Sequence, residues 1–183
     1  MTMLEIEDGL PDAHNGWRGR LETRSGRDIR VRPAHEDDEA RLDAFFRHVT
    51  PEDLRFRFLS PMRQVSEDQI HALSHVDHRR TENFLAFDAE THDLVATAML
   101  AGDDRMETAE VAMVMHEDYK GRGIGWALLS HVARFAEARG FQTLKSIESR
   151  EHRAAIQMER EMGFTAASDP DDGSIVVLTK TLG

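Results

Sequence analysis

Three glycines at alternate positions, Gly121, Gly123 and Gly125, stand between an apolar run, Thr108 to Met115, and a long stretch of helical periodicity, Arg122 to Arg139. Glycines at such a junction leave backbone N–H groups unhindered at a helix N-terminus. The positive end of the helix dipole adds to them, and the combination suits an anion, phosphate above all. Lys120 and Arg122 bring positive charge beside it. No Gly-Lys-Ser/Thr follows, so the turn is not a P-loop, and its GxGxG spacing is not the GxGxxG of a dinucleotide fold. The same spacing also serves a tight strand-to-helix turn that binds nothing.

Other residues with chemical potential are more scattered. His71 and His75 are four apart, a spacing that lets two imidazoles share a metal on one helix face, with His78 nearby. No HExxH accompanies them, and they read as surface histidines with no metal expected. Glu110 is a lone carboxylate at the head of the apolar run Val111 to Met115, which fits either a polar strand edge or a general base. Trp126 can pack on a ligand or on the sheet. Met158 and Met162, like Phe45 and Phe46, read as core. The run Glu36 to Glu39 reads as the solvated first turn of a helix.

The elements that must hold these residues are legible in outline. Residues 1–26 carry four glycines and a proline with little periodicity, and read as a flexible tail that becomes ordered near Trp17 to Glu22. Asp28 to Arg32 alternates as a strand. Helices follow at 36–48, at 51–58 behind the cap Thr50-Pro51, and from the capping box Ser66 to Gln69. Strands at 83–88 and 94–100 flank a hairpin turn at 90–93. After the strand at 108–115 and the helix at 122–139, which Gly140 ends, come a strand at 143–148, a helix at 153–162 stopped by Gly163, and strands at 164–167 and 174–181. The order is mixed α+β with a βαβ crossover in its second half, in one domain spanning 27–183.

Composition narrows the chemistry. The chain has 183 residues and no cysteine, which excludes disulfides, thiolate metal sites and a cysteine nucleophile. With 23 basic and 34 acidic residues it carries a net charge of −11, a poor match for nucleic-acid backbones. No apolar window is long enough to span a membrane, and the acidic N-terminus lacks the pattern of a secretory signal, so the expected location is the cytoplasm.

With the glycine turn in this setting, the sequence resembles the GNAT superfamily of acyl-CoA-dependent N-acyltransferases. That family's signature, (Arg/Gln)-x-x-Gly-x-(Gly/Ala), is met by Lys120-Gly-Arg-Gly-Ile-Gly125, with Lys120 in place of Arg or Gln. Its Asn-led helix ending in Gly-Phe is matched by Arg153 to Phe164, with His152 in place of the Asn. A finer similarity, to bacterial Pat-type protein-lysine acetyltransferases, rests on Leu54-Arg-Phe-Arg-Phe-Leu59 and on Asp77.

The resemblance implies a GNAT fold: a mixed, mostly antiparallel sheet of six to seven strands flanked by about five helices. It implies acetyl-CoA as acyl donor, its pyrophosphate on the amides of Gly121, Arg122, Gly123, Ile124, Gly125 and Trp126 beside Lys120. The pantetheine arm would pair with the strand edge at Val114 and Met115, and His152 would stand near the cofactor. The acceptor would be a primary amine, either a protein lysine or a small molecule such as a polyamine, aminoglycoside or amino acid. A lysine ammonium, with a pKa of about 10.4, is almost wholly protonated at neutral pH, so a base is needed. By resemblance that base is Glu110, with Glu107 and Glu148 as alternates. The family's Tyr acid falls on Glu159, which leaves the acid unassigned. A non-catalytic acyl-CoA-binding module is the competing class, and the family resemblance also allows a homodimer.

Overall fold

The computed structural model describes residues 15–183. Eight strands form one sheet: β1 (Gly19–Glu22), β2 (Asp28–Pro33), β3 (Thr81–Asp88), β4 (Leu94–Gly102), β5 (Thr108–Met115), β6 (Thr143–Ser149), β7 (Thr165–Ser168) and β8 (Ile175–Thr181). Their spatial order is β1-β2-β3-β4-β5-β6-β8-β7, and every neighbouring pair is antiparallel except β5 and β6. Five α-helices complete the fold: α1 (Glu39–Phe46), α2 (Pro51–Phe58), α3 (Glu67–Ser74), α4 (Ile124–Ala138) and α5 (Arg153–Glu161).

The start signals hold at two helices. Thr50 accepts from the N–H of Asp53 ahead of Pro51, and Ser66 and Gln69 form a reciprocal capping box. The expected helix at 36–48 is instead a 3-10 turn, Glu36–Asp38, leading into α1. Its acidic run is not uniformly solvated. Asp38 is buried, accepting from Arg32, from Arg41 and from the N–H of His35. Burial opposes its charge, but those donors outweigh burial and hold the carboxyl down at about 2.

Sheet alternation sorts the core onto two faces. Ala109, Val111, Met113 and Met115 of β5 face α4, whose Leu128, Leu129, Val132 and Phe135 pack on them. Val114 faces the other way, into the core formed with Leu42, Phe45, Leu54 and Ile70 of α1–α3. Glu110 and Ala112 share that second face by period.

The expected tail boundary at residue 27 is preceded by structure. Residues 1–14 lie outside the described residues, but β1 pairs with β2 from Gly19 onward. Trp17 is held edge-on against Phe135, ring centroids 5.2 Å apart, and accepts through its carbonyl from His131. This additional edge strand accounts for eight strands where six to seven were expected.

Candidate active site

β5 and β6 pair in parallel only from Thr108–Val111 to Thr143–Ser146, although both strands run further. Beyond Val111 they part. A cavity of about 430 Å³ opens at the split, lined by Ala112 to Met115 on one side and by Ile147 and Glu148 on the other. The glycine turn, α2 and α5 close the remaining sides.

The turn is built as its spacing implies. Gly123 is the N-cap of α4 at φ +79°, a conformation that L side chains rarely adopt. Gly125 sits where space is tight: a Cβ there would lie 3.3 Å from Met158 Sδ and 3.4 Å from Met115 Cε, so those methionine ends would have to give way by a few tenths of an ångström. The first amides of α4 therefore have no intrahelical acceptors and stand at the cavity wall. Val114, Met115, Lys120, Gly121, Gly123, Ile124, Gly125, Trp126 and His152 all line this one cavity.

Two expected site residues lie elsewhere. The Arg122 side chain is exposed and borders a separate shallow groove with Ser25 to Asp28. Its carbonyl accepts from Ser25 Oγ at 2.7 Å, which ties the β1–β2 hairpin to the glycine turn. Glu110 stands just beyond the cavity, two positions from Ala112 on the same sheet face, with its carboxylate 3.8 Å from Lys145 Nζ. Of the alternates, Glu148 lines the cavity, whereas Glu107 is exposed at the opposite end of β5.

The Lys120 ammonium is engaged by Asp53 of α2, so this cation braces the turn against α2 as well as adding charge. The Arg24 guanidinium lies 3.5 Å over the Trp126 ring. The His152 ring is stacked on Phe56 with centroids 4.4 Å apart, and its Nδ1 lies 3.0 Å from Glu148 Oε2.

Behind Glu148 the chemistry continues inward. Ser146 Oγ lies 3.0 Å from Glu148 Oε1 and 2.9 Å from Glu159 Oε1. A hydroxyl has one proton to donate, so the second contact requires a proton on one of the two carboxyl groups. Glu159 is buried and its other oxygen meets no partner. Burial, followed by the charge of Glu148, pushes the Glu159 carboxyl up to about 9.

Arg57, from α2, is the cavity residue that sequence reasoning left without a role. Its Nε is buried with no hydrogen-bond partner, and none of its nitrogens forms an ion pair with a described residue. Burial lowers the guanidinium to about 10 while Glu110 and Glu148 pull it back up, so it remains charged at neutral pH. It lies within the Leu54 to Leu59 stretch, but only the fold brings it to β5.

His71 and His75 meet Glu39 of α1, with ring centroids 3.8 Å apart and planes at 19°. Their two Nδ1 atoms converge on one Glu39 oxygen, at 2.7 and 3.5 Å, so the three side chains form a single polar cluster on the surface. Tyr119 is a core residue whose hydroxyl donates to Asp93.

The sequence model of the acetyltransferase (GNAT) family matches residues 43–164, and the chain belongs to that family of acyl-CoA-dependent N-acyltransferases. It is similar to an acetyltransferase of Pseudomonas aeruginosa, 29% identical over 154 residues, which span 83% of each chain. Among solved structures it resembles the GNAT domain of the Streptomyces lividans Pat protein, with a TM-score of 0.84 and 26% identity, covering 91% of this chain and 98% of that one. A spermidine N-acetyltransferase of Vibrio cholerae, solved with CoA and spermine, shares the fold at a TM-score of 0.68 and 14% identity, over 84% of this chain and 95% of that one. No helix among the described residues is long and apolar enough to cross a membrane.

Proposed function

We infer that this protein moves an acetyl group from acetyl-CoA directly to a primary amine. The observation that carries the reading is the coincidence of two features at one cavity: parted strands that expose the β5 edge, and the N-terminus of α4 opened by the glycine turn. The free edge at Val114 and Met115 can exchange sheet-like hydrogen bonds with the amides of a pantetheine arm. The free amides of Gly123 to Trp126 suit its pyrophosphate.

In this reading the amine approaches from the α2 side, and Glu110 takes its proton before or as the nitrogen attacks the thioester carbonyl. The tetrahedral adduct collapses, the C–S bond breaks and CoA leaves as a thiolate, with no covalent enzyme intermediate. A thiolate with a pKa near that of an ordinary thiol, about 8.5, leaves without strong acid help, which suits a site with no tyrosine beside it. The likeness to the Pat domain is compatible with a protein lysine, and the fold shared with the spermidine enzyme with a small amine.

Calorimetric titration of acetyl-CoA and of free CoA tests the reading. The wild type should bind both in the micromolar range. Gly123→Glu should bind neither, because it puts a carboxylate on the phosphate turn at a positive φ. Circular dichroism checks that the variant is folded. A wild type that binds neither ligand would overturn the assignment.

A further inference from the structure

A charged guanidinium set into a cavity wall with no acceptor is rare, because buried polar groups find partners in nearly all folded proteins. Arg57 offers five N–H donors in a rigid planar fork, a shape that matches a carboxylate. No protein oxygen takes them: Nε is buried and unpartnered, and no ion pair reaches the group. Glu110 and Glu148 lie near enough to act on its charge, yet neither comes within ion-pair distance. The missing acceptor is therefore expected from whatever fills the cavity.

The other charges around this wall indicate what that ligand carries. Of the charged groups that line the cavity, Lys120 is held by Asp53, and Arg24 lies over the Trp126 ring at the glycine-turn side. Glu110 and Lys145 face each other at 3.8 Å just beyond it. That leaves Arg57 and Glu148 on the acceptor side, one cation and one anion, both lining the space the ligand fills. A polyamine, with several ammonium groups and no anion, would set a second ammonium against Arg57. A zwitterion satisfies both signs at once.

We propose that the acceptor is a small amino acid-like molecule carrying a free carboxylate beside its amine, and that Arg57 is the residue that binds this carboxylate while Glu110 faces the amine. The inference rests on the acetyl-transfer reading and names its substrate class. Binding energy taken at the carboxylate would hold the nitrogen in line with the thioester, so the carboxylate acts in positioning as well as in affinity.

The test uses matched pairs: L-amino acids against the amines left when their carboxylate is removed, such as lysine against cadaverine and arginine against agmatine. Spermidine and a lysine-containing peptide are included. CoA release is followed with a thiol reagent, and a chain without cysteine adds no background. At least one amino acid should exceed its decarboxylated partner about 100-fold or more in kcat/KM, as expected when a site built for a polar group meets a ligand lacking it. Arg57→Gln should erase that preference by raising KM for the amino acid at least tenfold. It should leave KM for the plain amine and the Kd of acetyl-CoA unchanged. Arg57→Lys, which keeps the charge but not the fork, should recover part of the loss, and thermal melts of both variants report folding.

Other outcomes overturn the proposal. A fall in kcat shared by all acceptors would put Arg57 on the thioester oxygen, and weakened acetyl-CoA binding would put it on the pantetheine. Turnover of the peptide or spermidine but of no zwitterion would leave acetyl transfer standing and remove this acceptor class. Absence of acetyl-CoA binding, by contrast, would remove the parent reading.

Discussion

Along its β5–α4 wall the cavity presents mostly backbone: the free edge of β5 and the first amides of α4, opened by Gly123 and Gly125. Along its α2–β6–α5 wall it presents side chains with charge, Arg57, Glu148 and His152, with Ser146 and Glu159 packed behind. The first wall acts through geometry that one contiguous stretch of chain determines. The second assembles residues separated by about a hundred positions in sequence, and only the fold brings them to one surface. A backbone wall suits a ligand that never varies, whereas a side-chain wall can be altered residue by residue to suit a different acceptor. In the proposed reading, a division of labour between donor and acceptor follows from that difference in materials.

The largest effect that would break this comparison is expected at Glu110, on the side-chain side. Glu110→Gln keeps size and polarity but cannot take a proton. It should lower kcat by about 10²–10⁴-fold, the usual contribution of a general base. The Kd of acetyl-CoA, set by the other wall, should not move. Steady-state kinetics with calorimetry on the same samples checks both halves. Unchanged turnover would remove Glu110 as base and direct attention to Glu148, the alternate that lines the cavity.

A smaller effect is expected at Glu159, and it is one of stability. Its folded carboxyl is raised to about 9 by burial and by Glu148, while its unfolded value is ordinary. Between those two values the folded state holds a proton that the unfolded state has released. Stability from this group is therefore intact at about pH 4.5 and falls as pH rises toward 9, by up to about 1.4 kcal/mol per pH unit. Glu159→Gln, which cannot ionise, should flatten that slope and so be more stable relative to the wild type at pH 8 than at pH 5. Urea unfolding at pH 5 and pH 8 measures it. Parallel slopes for wild type and variant would mean that the proton is not held where the single hydroxyl of Ser146 requires it.

The same contrast explains what could be read without the structure. The glycine turn and the strand ahead of it are local, so residue type and spacing were enough to bring Val114, Met115, Gly121 and Gly123 to Trp126 together, and they line one cavity. The caps at Thr50 and Ser66 were legible for the same reason. Arg122 lies outside that cavity because spacing fixes a backbone position and not the direction of an exposed side chain. Asp38 was taken for a solvated carboxylate because its partner Arg32 sits on a different element, β2. Arg57 lay in plain sight beside a run of phenylalanines, but its lack of a partner is a property of the folded cavity that no sequence pattern carries. The Ser146–Glu148–Glu159 cluster joins β6 to α5, and only packing shows that one hydroxyl serves two carboxyl groups.

Lys120 stands where the two walls meet, and its substitution sharpens the comparison most finely. It occupies the signature position of the glycine turn, yet its ammonium is bonded to Asp53 on α2. If its main work were to add charge for a phosphate, removing it would weaken acetyl-CoA alone. If it braces the turn against α2, the loss should be small for acetyl-CoA and should appear for the acceptor as well. The pair is half exposed on the lysine side, at 49%, where ion pairs contribute little. Lys120→Met should therefore weaken acetyl-CoA only about two- to fivefold, a change of about 0.4–1 kcal/mol, and should raise the acceptor KM by a similar factor. A double-mutant cycle with Asp53→Asn reads the coupling directly. A loss of acetyl-CoA affinity above about 30-fold, independent of Asp53, would return Lys120 to the donor wall as a phosphate ligand and leave the α2 wall to Arg57.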